Sequence, residues 1–154
     1  MWEQFRRFSA LKRPAQNDFL RALVLLPLVT LSLRWRCFHA TQASLNLLLS
    51  IARSESGADL GRDDAEIAAR MVNAADRHGL VHPSCLVKSL VLWWLLGRQG
   101  IPSQLRVGVR KEGGNFEAHA WVEREGIAVN EPEERHHHYA AFDAALASLP
   151  EEER

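Results

Sequence analysis

Pro83-Ser84-Cys85-Leu86-Val87-Lys88-Ser89-Leu90-Val91-Leu92-Trp93-Trp94-Leu95-Leu96-Gly97-Arg98 decides the fold, because it is apolar almost all the way round a helical wheel. A helix with no polar face belongs in the middle of a domain. Pro83-Ser84 supplies a start signal, with Ser84 as N-cap, and Gly100 and Pro102 supply the stop. Cys85 then falls at the first helical position. There the unpaired N–H groups and the positive end of the helix dipole favour a thiolate and offer donors to an oxyanion.

Downstream of Pro102 the periodicity changes from helical to alternating. Leu105, Val107 and Val109 alternate with Arg106, Gly108 and Arg110, which predicts a strand. Gly113-Gly114-Asn115 is a turn, Phe116 to Arg124 a second strand, and Glu125-Gly126 a tight turn into a third, Ile127 to Asn130. A closing helix is expected over Tyr139 to Leu149.

Upstream, Ala65 to His78 carries Ile67, Ala68, Met71, Val72 and Ala75 on one stripe, an amphipathic helix closed by Gly79. Gly57 to Asp64 reads as linker. Asp18 to Trp35 is helical, with Pro27 as a kink or a break, and Ala43 to Arg53 forms a short further helix. The apolar run Ala22 to Leu33 is too short to span a bilayer and is bracketed by Arg21, Arg34 and Arg36. It is read as a buried helix rather than a membrane span or a signal sequence. The expected fold class is α+β: N-terminal helices and a central cysteine-bearing helix packed on a small antiparallel sheet.

The chain has 154 residues, enough for one domain that buries about 70% of its unfolded surface. We expect a single domain over 1–154, with a helical N-terminal part over 1–56 and a catalytic core over 64–149. Nineteen basic residues balance nineteen acidic ones, so no global field points to nucleic acid or an anionic membrane. Basic residues gather in the first 36 positions and glutamates in the last third. The two cysteines, Cys37 and Cys85, are expected to be free thiols, which suits a reducing cytoplasm.

A thiol becomes a nucleophile with a base and an orienter for that base. His119, on the second strand, is the candidate base. If Glu125-Gly126 is a two-residue hairpin loop, Arg124 pairs with Ile127 and Trp121 lies opposite Asn130. Alternation then puts Asn130 on the face of His119 and Glu131 on the other. A bulge or a longer loop exchanges the two, so both Asn130 and Glu131 are candidate orienters. His136, His137 and His138 lack a paired ligand spacing and read as solvated loop residues, so no metal and no cofactor is expected.

Several segments carry a resemblance: Pro83 to Leu90, Trp93-Trp94-Leu95-Leu96, Gly100-Ile101-Pro102, Arg106 to Lys111, Phe116-Glu117-Ala118-His119-Ala120-Trp121-Val122-Glu123, and Gly126 to Asn130. Together they resemble the transglutaminase-like cysteine peptidases of lasso-peptide biosynthesis, the B-type maturation proteins in their split form. The likeness spans about residues 65 to 142 and loosely includes the N-terminal helices at Leu26-Pro27. Length fits the standalone peptidase half.

That resemblance implies a transglutaminase-like, papain-like core and a Cys-His-acid triad in which Cys85 and His119 carry over directly. The acidic position falls on Glu131, where glutamate stands in place of aspartate. It also implies a substrate, a ribosomally made precursor whose leader is removed to free the core peptide for macrolactam closure. The implied partners are a small leader-binding protein and an ATP-dependent cyclase. Two other functions compete: amide transfer to an amine, as in a transglutaminase, and a non-catalytic binding module in a peptide-modifying complex.

Overall fold

Four helices precede the sheet in the computed structural model, which describes residues 13–52, 61–79, 81–112, 114–130, 139–142 and 147–148. They are α1 (Arg13–Trp35), α2 (Phe38–Ala52), α3 (Arg62–His78) and α4 (Cys85–Arg98). The strands follow as β1 (Gln104–Glu112), β2 (Asn115–Arg124), β3 (Ile127–Ala128), β4 (Ala140–Ala141) and β5 (Ala147–Ser148).

The apolar central helix is α4, buried from Ser89 through Gly97, with Trp93 only 1% exposed. Its core neighbours come from every layer: Leu26 and Val29 of α1, Leu45 and Leu49 of α2, Val72 and Ala75 of α3, Leu105 of β1 and Val122 of β2. Burying one such large side chain contributes about 1.5–3 kcal/mol, so this cluster dominates the stability of the fold. Ser84 caps the start as expected, its Oγ accepting the Val87 N–H at 3.4 Å. At the other end Gly100, with φ of 76°, turns the chain out. Its N–H goes to the Gly97 carbonyl and that of Ile101 to the Leu96 carbonyl, the paired closure of a Schellman motif.

α1 runs unbroken through Pro27, so the proline ends nothing. The expected buried helix needs correction too. Ala15, Asp18, Ala22, Leu26 and Val29 form the inward stripe, while Leu20, Val24, Leu28, Leu31 and Trp35 are exposed. A run apolar on both faces fixes a helix but leaves open how many sides are covered. Asp18 is the polar member of the inward stripe; it accepts from Gln99 Nε2 at 2.8 Å and tethers α1 to the end of α4. Burial raises its pKa, against the pull of Arg21 and Gln99. α3 starts at Arg62, where the Asp64 carboxylate accepts the Gly61 N–H. No helix among the described residues is long and apolar enough to cross a membrane.

The strands form an antiparallel sheet in the order β3-β2-β1-β4, with β5 also on β1. β1 and β2 pair from Gln104↔Glu123 to Glu112↔Asn115, and β2 and β3 at Glu123↔Ala128 and Arg124↔Ile127. Glu125 and Gly126 have φ of 52° and 77°, the doubly left-handed backbone of a type I′ hairpin turn. The described parts of the last segment overturn the expected closing helix: Ala140 and Ala141 pair with β1 at Val109 and Gly108, and Ala147 and Ser148 at Leu105 and Gln104. Alanine favours a helix locally, but the outer edge of β1 presents unpaired N–H and C=O groups that a strand satisfies.

Gly108 is fixed by its neighbours. A Cβ there would stand 2.9 Å from the Trp121 ring and 3.0 Å from the Ala140 carbonyl oxygen. Gly108→Ala is therefore expected to destabilise by about 1–3 kcal/mol, read in chemical denaturation together with a shifted tryptophan emission.

Candidate active site

Cys85 is the first residue of α4 and is half-buried. It lines a narrow cleft with Ala69, Val72 and Asn73 of α3, Lys88 and Leu92 of α4, and Asn130. The cleft holds about 10 Å³, room for roughly one water molecule, so a peptide would lie across its mouth. Lys88 Nζ pairs with Asp76 at 3.3 Å and clamps the start of α4 to α3. Cys37, the other thiol, is exposed between α1 and α2.

His119 lies in β2 opposite Gly108. Its ring stacks on Trp121, with centroids 6.3 Å apart and planes 18° from parallel, and meets Tyr139 at 5.2 Å. Trp121 is held in turn: Nε1 donates to Glu123 at 2.7 Å, and Arg106 Nε donates to the other carboxylate oxygen at 3.1 Å. Arg110 sits over the Tyr139 ring at 5.0 Å and pairs with Glu117 at 2.6 Å. That hydrogen bond from Arg110 lowers the Glu117 pKa, with Tyr139 and the charge of His119 adding to it. The imidazole thus belongs to a row of side chains that fixes its plane.

α4 meets β2 at an edge. Backbone groups along a strand alternate between its two neighbours, so Ala120 and Val122 turn theirs to the same side. At Val122 that side belongs to β3, whose continuation at Val129 donates N–H to the Val122 carbonyl at 2.9 Å. The ladder itself stops at Ala128. Beyond it, Ser89 Oγ donates to the Ala120 carbonyl at 3.0 Å, and Asn130 Oδ1 accepts the Val122 N–H at 2.8 Å. Asn130 Nδ2 donates to Ser89 Oγ at 3.2 Å.

This contact lies close to the candidate nucleophile. Ser89 stands level with Ala120, and Cys85 lies four residues nearer the helix start, about 6 Å along the axis. The Ser89–Ala120 contact thus lies one helical turn from Cys85 and one residue from His119.

The structure brings Cys85 and Asn130 into one cleft. His119 is not among the described residues lining it; the imidazole lies with Trp121 and Tyr139. The hairpin register is the expected one, yet the alternation does not extend to Asn130. Its amide turns into the edge of β2 because the ladder has ended and Val122 needs an acceptor. Glu131 and His136 to His138 lie outside the described residues, and no cluster of metal-ligating side chains occurs among those that are described. Lys88 and Ser89 were missed from sequence; the available signal was a cation and a hydroxyl at i+3 and i+4 from Cys85 in an otherwise apolar helix.

A model of the Transglutaminase-like superfamily matches residues 28–142. The chain belongs to that superfamily. Neither the curated proteins nor the solved structures yield a match. Members of the transglutaminase-like superfamily are typically cysteine hydrolases or transferases, and the match covers both Cys85 on α4 and His119 on β2. It also takes in the end of α1 from Leu28 to Trp35, α2 and α3, so this transglutaminase-like core includes helices as well as the sheet.

Proposed function

We propose that this chain is a cysteine peptidase that removes the leader from a ribosomally made lasso-peptide precursor. The observation that supports it best is Cys85 at the first turn of a capped helix, one turn from the Ser89 hydroxyl that bonds the Ala120 carbonyl beside His119. In the proposed reaction His119 takes the thiol proton and the sulfur attacks the scissile carbonyl carbon. The N–H groups of Cys85 and Leu86 precede the helical ladder and are the candidate donors to the oxyanion. The carbonyl re-forms as the C–N bond breaks, with His119 returning the proton to the leaving amine. Water then attacks the thioester, releasing the leader acid and the free thiol. Glu131, next along the chain from the anchored Asn130, is the proposed orienter of His119.

A small leader-binding protein would present the precursor, and a separate ATP-dependent cyclase would close the ring on the freed amine. Mass spectrometry of a precursor incubated with this chain and such a partner tests the reading. Hydrolysis yields two fragments whose masses sum to the precursor plus one water. A ligated species would show amide transfer instead, and an unchanged precursor would favour a binding module.

A further inference from the structure

We propose that Ser89 is a positioning residue for the catalytic pair, acting through the strand edge that β3 leaves open. The inference rests on reading Cys85 and His119 as that pair. Ser89 is wholly buried, one turn of α4 beyond Cys85. Its hydroxyl donates to the carbonyl of Ala120, the residue after His119, and accepts from Asn130, the residue before Glu131. A single oxygen thus joins the helix that carries the thiol to the backbone beside the proposed base and to the side chain beside the proposed acid. Asn130 completes the link by accepting the Val122 N–H.

The bond from Ser89 occupies a position where a β-ladder would otherwise continue. A backbone partner from β3 would satisfy Ala120 equally well, yet it would hold β2 to β3 and not to α4. A hydroxyl from the helix fixes the height of Cys85 against His119. Displacements of about 1 Å between reacting groups cost up to about 100-fold in rate, so losing this contact should reach the chemistry as well as the fold.

The test uses the full chain with Cys37→Ala and iodoacetamide as the probe, following alkylation of Cys85 across pH. His119→Ala reports whether the histidine activates the thiol at all. Ser89→Ala is expected to slow alkylation near pH 6 by on the order of tenfold and to move the pH profile toward that of His119→Ala. The Ser89→Ala/His119→Ala double variant should be no slower than His119→Ala alone, because both act through one unit. Ser89→Thr, which keeps the hydroxyl, should recover most of the rate. Asn130→Ala breaks the same link from outside the core and should repeat the loss if Ser89→Ala does not fold.

A wild-type profile matched by Ser89→Ala and Asn130→Ala, with only the melting temperature lowered, would overturn the positioning role and leave the catalytic reading intact. If His119→Ala itself changed nothing, the catalytic reading would fail first.

Discussion

Cys85→Ala is expected to abolish cleavage of a precursor supplied with its leader-binding partner, lowering kcat by about four orders of magnitude or more. No other group can form the thioester, so the whole covalent route is lost. Alanine is a good helix former and Cys85 is only half-buried, so the stability change should stay within about 1 kcal/mol. Cys37→Ala should leave cleavage within about twofold, since surface substitutions away from a site are nearly neutral. Residual cleavage by Cys85→Ala at more than about a hundredth of the wild-type rate would contradict the assigned nucleophile.

His119→Ala should cost about 10²- to 10⁴-fold in kcat, the usual range for removing a general base, with KM little changed. The side chain also packs. Losing its stacking on Trp121 and its contact with Tyr139 removes ring interactions worth about 0.5–1.5 kcal/mol, so a small fall in melting temperature accompanies the kinetic loss. The ratio of the two effects separates the roles: a histidine that only packs would lower stability and leave kcat within a few-fold. Added imidazole, which fits the space left beside Trp121, should restore part of the rate.

The central helix was legible because Leu86 to Leu96 has no polar face and is bounded by Ser84 and Gly100. The β1–β2–β3 meander followed from alternation and from Glu125-Gly126. Three features were not legible, each for a physical reason. The segment after Tyr139 carries helix-favouring alanines, but its described parts pair with an open edge of β1 that exists only once the sheet has formed. α1 has apolar residues on both faces, and only the packed structure says that one of them is covered. Asn130 sits where strand alternation predicts one orientation, yet the ladder ends two residues earlier and its amide answers to Val122 and Ser89 instead. At the site, Cys85 and His119 stood out by residue type. Ser89 did not, because a hydroxyl in a helix interior ordinarily bonds within its own helix.

The most direct test of the central claim is competitive labelling of the two thiols in the wild-type chain with limiting iodoacetamide near pH 6, read by peptide mass spectrometry. An ordinary thiol is almost fully protonated there and reacts slowly. Exposure alone favours Cys37, which is exposed while Cys85 is half-buried. The proposed role of Cys85 predicts the reverse order, with Cys85 modified at least about tenfold faster and the preference lost in His119→Ala. Faster labelling of Cys37, unaffected by His119, would contradict it.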